Sequence, residues 1–270
     1  MSNAVKPKKA LGQHFLTDMG VAARIAATLD AYTELPTLEI GPGTGVLTRF
    51  LLENHPADLL TLVEIDTESV AWLHSHLEDP QPRIVEGDFL RLPLSDLLPC
   101  DGPVCIIGNY PYNISSQIFF KVLDYKDRVV CCSGMLQREV AERLAAAPGS
   151  KTRGILSVLL QAWYDVEYLF TVSEHVFNPP PKVKSGVIRM TRNGVTDLGC
   201  DEALFRNIVK TTFGQRRKML RSSIKPLLPP GVAFDDPDMA TLRPEQLSVD
   251  QFIELTRRVQ ALRQKANETL

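Results

Sequence analysis

Residues 37–54 read TLEIGPGTGVLTRFLLEN. A short strand-like run meets glycines at 41, 43 and 45, and a helical pattern begins at Val46. Such a turn lets a ligand approach bare backbone and reach the positive end of the following helix. Two cofactor classes use it. A nicotinamide dinucleotide fingerprint requires Gly-x-Gly-x-x-Gly, but position 46 is Val, and Pro42 inside the turn is unusual for pyrophosphate binding. S-adenosylmethionine carries no phosphate, and the shorter Gly-x-Gly-x-Gly turn suits it better. Gly41 and Gly43 are therefore candidate cofactor contacts.

Outward from this turn, β-rich runs alternate with helical patterns, as expected of a mostly parallel sheet covered on both faces. Strands are expected at 37–40, 59–65, 83–86, 104–108, 128–135, 165–172 and 186–191. Helices are expected at 20–31, 46–54, 69–77, 115–123, 137–147 and 154–163. After Arg192 the alternation stops. Residues 202–212, 216–224, 244–247 and 249–265 read as helices punctuated by prolines. The expected architecture is a Rossmann-like α/β domain over 1–193 and a small all-α domain over 200–270.

Composition fits this. The chain has 270 residues, 44% hydrophobic and 23% charged, enough for one large and one small core. No apolar run has membrane-spanning length, and the basic N-terminal stretch lacks the apolar block of a signal peptide, so a cytoplasmic protein is expected. The five cysteines form no Cys-x-x-Cys pair, which argues against structural zinc or a disulfide framework. No metal is expected, and Cys131 and Cys132 read as reduced core thiols.

The acidic residues at the next two strand ends are informative together. Glu64 closes the run 59–63, where a carboxylate can accept both ribose hydroxyls of a nucleoside. Asp88 follows the strand at 83–86 and can accept from an adenine amino group. Each alone would read as a solvated strand-end acid. Their succession after a glycine turn makes a binding edge.

The fourth strand delivers Asn109-Tyr110-Pro111-Tyr112 to the same edge. An exocyclic adenine nitrogen is a poor nucleophile, because its lone pair is delocalised into the ring. Accepting hydrogen bonds from its N–H groups favours the pyramidal transition state. The Asn109 side-chain carbonyl and the Tyr110 main-chain carbonyl can do this. Pro111 limits how that backbone turns, and Tyr112 offers a flat face for a base.

The sequence at this point resembles the small-subunit (16S) ribosomal RNA adenine N6,N6-dimethyltransferases of the KsgA type. The matching blocks span nearly the whole chain: KKALGQHFL (8–16), LEIGPGTGVLT (38–48), VEID (63–66), GDFL (87–90), GNYPYNISS (108–116), MLQREVAERL (135–144), FNPPPKVKSGVIR (177–189) and FGQRRKMLRSS (213–223). The resemblance implies that two adjacent adenosines in a hairpin near the 3′ end of that RNA each receive two methyl groups from S-adenosyl-L-methionine. It implies that the segment from Gln13 to Leu16 closes over the cofactor, with His14 and Leu16 touching it. Gly41, Glu64, Asp88 and Asn109 become further contacts, and Phe177 would stack on the target base opposite Tyr112. Two departures are visible: the family usually has Leu where Tyr110 stands and often Asn where His14 stands. The alternatives are a large-subunit dimethyltransferase of the macrolide-resistance type and an assembly factor that mainly binds.

Charge points to the same partner. The net charge is -2, yet between Phe205 and Lys225 stand seven basic residues and no acidic one. On a helix, Arg217, Arg221 and Lys225 would recur at i, i+4 and i+8 beside an apolar stripe of Phe213, Leu220 and Ile224. Arg216, Arg217, Lys218 and Arg221 are thus candidate phosphate contacts, as are Lys182 and Lys184 near Phe177. Lys6, Lys8 and Lys9 form a second basic arm. The expected partner is small-subunit ribosomal RNA within a pre-assembled 30S-type particle, with no membrane or DNA involved, and the protein is expected to be a monomer.

Overall fold

The computed structural model describes residues 5–98 and 101–268. In chain order its elements are β1 (Phe15–Leu16), α1 (Met19–Ala26), β2 (Thr37–Ile40), α2 (Val46–Asn54), β3 (Leu60–Glu64), α3 (Thr67–His76), β4 (Arg83–Glu86), α4 (Leu94–Leu97), β5 (Val104–Asn109), α5 (Ser115–Asp124) and β6 (Val129–Gln137). There follow α6 (Arg138–Leu144), α7 (Ile155–Gln161), β7 (Tyr164–Val172), β8 (Phe177–Asn178), β9 (Ser185–Arg192), α8 (Glu202–Gly214), α9 (Leu220–Ser223) and α10 (Val249–Glu268).

Seven strands form one sheet in the order β4-β3-β2-β5-β6-β9-β7. β2 pairs in parallel with both β3 and β5, and β9 runs antiparallel to β6. The chain builds outward from β2 through β3 to β4, then returns to β5 on its other side. That reversal opens a crevice at the carboxyl ends of β2 and β5, where open α/β sheets bind ligands. The strands are apolar because helices cover them: Leu38, Leu62, Ile106 and Ile107 are at most 1% exposed. Local signals start the helices. Asp18 accepts from the Val21 N–H at 2.9 Å to begin α1, and Asp201 does the same for Leu204 at the start of α8.

Gly108 and Gly134 face each other across β5 and β6. A Cβ on Gly134 would lie 2.2 Å from the Gly108 carbonyl oxygen and 2.7 Å from the Tyr110 ring. The glycine pair makes the room that the Tyr110 ring fills. Its hydroxyl donates to the Ser133 carbonyl at 2.6 Å, and its edge meets Phe119. The bulk of Tyr110 is therefore accommodated in the core.

The chain divides into two compact units: Met1–Glu142 with Asp165–Arg192, and Arg143–Tyr164 with Asn193–Leu270. The second unit takes in 143–164 together with the C-terminal helices from Asn193 onward. The reason is packing and pairing: α7 lies against α8, and the Gly149 N–H donates to the Glu245 carbonyl at 2.8 Å.

The expected helix over 216–224 does not form as one element. α8 ends at Gly214, residues 215–219 form a turn, and α9 has four residues. The N–H groups of Leu220 and Arg221 are taken by the carbonyls of Leu242 and Ala240, which a continuous helix would not allow. Arg217 thus does not share a helical face with Arg221. Residues 244–247 form only a 3-10 turn, Pro244–Gln246.

Cys131 and Cys132 are buried free thiols, which desolvation pushes up to about 12. Cys100 lies outside the described residues. Among the described residues, no helix is long and apolar enough to cross a membrane, and no His/Cys/Asp/Glu group is arranged to hold a metal.

Candidate active site

A cavity opens at the carboxyl ends of β2, β3, β4 and β5, within the first unit. Its lining brings together Gln13, His14, Leu16, Gly41, Gly43, Glu64, Asp88, Asn109, Tyr110, Pro111 and Tyr112. Of the residues singled out for cofactor or base in the sequence, only Phe177 does not line it.

The floor is the glycine turn. Gly43 has φ 58°, and a Cβ there would meet the Phe15 ring at 2.9 Å. The Gly43 N–H donates to Glu64 Oε2 at 3.0 Å, and the Asp66 N–H donates to Glu64 Oε1 at 2.9 Å. Glu64 is therefore fixed by two amides, and each oxygen keeps a lone pair for a further donor. Its carboxyl is raised from the usual range, chiefly because it is buried, although both amides pull the other way.

A second acid lines the cavity, one that the motif reading passed over. Glu39 is 1% exposed and accepts from Thr48 Oγ1 at 2.7 Å. Burial pushes its carboxyl up to about 8, the Thr48 hydrogen bond opposes this, and nearby Glu64 adds to it. The available signal was a carboxylate on an otherwise apolar strand, one residue before Ile40 and the glycines. Asp88 is half-buried. Its Oδ1 accepts the Leu90 N–H at 2.9 Å, and Arg91 lies 3.4 Å from Oδ2.

The catalytic edge follows β5. Asn109 Nδ2 donates to the His14 carbonyl at 3.1 Å. A carbonyl can only accept, so this bond fixes which arm of the amide is nitrogen and leaves Oδ1 on the other arm. The Tyr110 N–H donates to the Met135 carbonyl, continuing the sheet by one residue, while no hydrogen bond among the described residues ends on the Tyr110 carbonyl oxygen. Tyr112 is held by its hydroxyl, 2.5 Å from Ser185 Oγ, and by His14, whose ring stacks on it at 5.4 Å between centroids. His14 Nδ1 is 2.8 Å from the Pro179 carbonyl oxygen.

Phe177 is 5% exposed and joins the core cluster that contains Leu16. The cause is a pairing of two very short strands, β1 with β8, which sets Leu16 opposite Phe177. Neither strand has a periodic pattern long enough to read. Lys182 and Lys184 lie exposed between β8 and β9.

In the second unit, Arg217, Lys218 and Arg221 are exposed, whereas Arg216 is engaged. It donates to the Lys151 carbonyl and approaches Glu245 Oε2 at 3.7 Å. The acid missing from 205–225 is supplied from elsewhere in the chain.

A family model described as ribosomal RNA adenine dimethylase matches residues 4–260. The ribosomal RNA small subunit methyltransferase A of Parabacteroides distasonis is 67% identical over 93% of each chain. The proteins of the same name from Bacteroides thetaiotaomicron and Flavobacterium johnsoniae are 61% and 51% identical, each over 95% of this chain and over 95% and 97% of their own. Among solved structures, a dimethyladenosine transferase from Plasmodium falciparum superposes with a TM-score of 0.73 at 22% identity, covering 92% of this chain and 98% of its own. The 23S rRNA methyltransferase ErmE gives a TM-score of 0.66 at 26% identity, covering 90% and 99%. With the glycine turn, the strand-end acids and the Asn-Tyr-Pro-Tyr edge gathered around one cavity, and with a family match over almost its whole length, this chain is a member of the ribosomal RNA adenine dimethylase family.

Proposed function

We propose that this protein transfers methyl groups from S-adenosylmethionine to the N6 amines of two adjacent adenosines in a 3′-terminal hairpin of small-subunit ribosomal RNA, two methyls to each. The observation that carries the reading is the Asn109 amide, whose nitrogen is engaged by the His14 carbonyl while Oδ1 and the Tyr110 carbonyl are left to accept.

The cavity lining fits the cofactor chemically. It contains Glu39, Glu64 and Asp88 but neither lysine nor arginine. A lining without a basic residue disfavours the pyrophosphate of a dinucleotide, and a cationic ligand would favour the ionised forms of the raised acids Glu39 and Glu64. Glu64 would take the ribose hydroxyls, Asp88 the adenine amine, and the glycine turn and Gln13–Leu16 the remainder. When bound, the cofactor supplies an electrophilic methyl group on a sulfonium.

The chain's own work is alignment and charge stabilisation. Asn109 Oδ1 and the Tyr110 carbonyl accept the two N–H bonds of the target amine, drawing its lone pair out of conjugation as positive charge grows on nitrogen. Two neutral acceptors suffice, because the nitrogen sheds its proton readily once it carries that charge. Tyr112, held by Ser185 and His14, gives the base a face to stack on, a contact worth ~1–3 kcal/mol. The target must leave its own stack to enter, at a cost of a few kcal/mol. After one transfer a single N–H remains, so the amine must rotate before the second.

The small-subunit substrate is favoured over a large-subunit one by the names of the relatives at 51–67% identity. The reading further places the RNA within a pre-assembled particle and the enzyme, a monomer, in the cytoplasm. The test is mass mapping of methylated nucleotides after incubation with undermethylated small and large subunits. N6-dimethyladenosine at two neighbouring positions of the small-subunit RNA is expected; label confined to the large subunit would overturn the reading.

A further inference from the structure

The segment from Lys8 to Leu16 lies over the cavity, and Leu11 to Leu16 form part of its wall. Between Val5 and Phe15 this strap contains no buried residue. Leu16 anchors its carboxyl end in the core, but apolar burial contributes little to holding the rest, and polar contacts must do so. Two sets of these are near its carboxyl end: the pairing of β1 with β8, and the contacts of His14 with Asn109 and Pro179. The third set converges on one residue. Lys8 Nζ forms an ion pair with Asp66, Gln13 Nε2 reaches Asp66 Oδ2 at 3.4 Å, and the Lys8 N–H closes the loop by donating to Gln13 Oε1 at 2.8 Å.

Asp66 is 3% exposed, in the VEID motif two residues after Glu64. Burial alone would raise its carboxyl. Lys8, Ser69 and Gln13 together outweigh burial and hold it below the usual range. Its backbone N–H simultaneously holds Glu64 Oε1 inside the cavity. One residue thus orients the acid within and ties down the strap outside. Lys8, read from sequence as part of a basic arm, is committed to Asp66 and to Glu68, 3.1 Å away.

We propose that Asp66 is a positioning residue that clamps the N-terminal strap over the cavity through Lys8 and Gln13, and that this clamp sets how long the cofactor stays bound. The proposal rests on the cofactor reading above. Charge pairs that hold a closed state act mainly on dissociation, and partly exposed ones weaken with salt.

The test is release of labelled S-adenosylhomocysteine from the full chain, with amide hydrogen exchange of residues 9–16 measured on the ligand-free protein. In Lys8→Met, release is expected to quicken about tenfold with association unchanged. Exchange in the strap should rise, and the salt dependence of release seen in the parent should disappear. Asp66→Asn should do the same, and the double variant should exceed neither single one. Unchanged release and exchange in Lys8→Met, with the parent binding normally, would overturn the clamp alone. A parent that fails to bind S-adenosylhomocysteine would overturn the cofactor reading and the residence-time role with it.

Discussion

The cavity at the strand ends and the basic turn at 215–221 both concentrate charge, and they hold it in opposite ways. Glu39 and Glu64 are at most 4% exposed, and each is bound to a specific neighbour. Arg217 and Lys218 are open to solvent on a turn, and Arg221 on the four-residue α9. Water and salt screen the second group, while burial favours the uncharged form of the first, so that any charge formed there counts for far more. The cavity is built to act on one ligand at fixed distances. The turn carries the kind of charge that would attract an extended polyanion, whose phosphates need no single arrangement, a role that the variants below test.

That contrast can be broken at several strengths. Asn109→Ala should have the largest effect, a loss of about 10³-fold in methyl transfer with RNA affinity unchanged, read by methyl incorporation beside filter binding. Equal loss of RNA binding would mean that Asn109 belongs to the docking surface instead. Glu39→Gln probes the buried charge without chemistry. A carboxyl raised on folding contributes stability that is complete below its unfolded value near 4.5 and fades as pH climbs through about 8. The variant should therefore match its parent at pH 4 and exceed it by on the order of a few kcal/mol at pH 9. Melting curves across that range check the sign.

Arg217→Glu combined with Arg221→Glu should weaken RNA binding by roughly 10- to 100-fold at low salt and flatten its salt dependence, leaving the melting temperature in place. Identical affinities at several salt concentrations would remove the turn from the RNA interface. Arg216→Ala should have the smallest effect, about 0–1 kcal/mol of stability, because its ion pair with Glu245 is partly exposed. If its loss weakened RNA binding as much as that of Arg217, its engagement within the fold would not prevent it from meeting phosphate.

The two regions also differ in how far they could be read in advance. Glu64, Asp88 and Asn109 stand at strand ends, and a strand fixes its terminal residue by a period of two and by pairing with its neighbours. Spacing from the glycine turn was enough to gather them. The basic turn answers to partners distant in sequence: the Leu242 and Ala240 carbonyls break the helix that composition suggested, and Glu245 claims Arg216. The burial of Phe177 was hidden for a similar reason, since a two-residue pairing with Leu16 leaves no periodic trace. Asp66 was overlooked because its importance comes from Lys8, fifty-eight positions away. The burial of Tyr110 depends on two glycines in different strands meeting at one register, which no local window contains.

The imidazole of His14 already covers one side of the Tyr112 ring. In the proposed reading an incoming purine meets a half-occupied platform, so it either completes a three-ring sandwich or evicts the histidine. Eviction would exchange one stack for another and return only the difference between them. A grip of that modest size suits an enzyme that must let go of each adenosine and take up its neighbour.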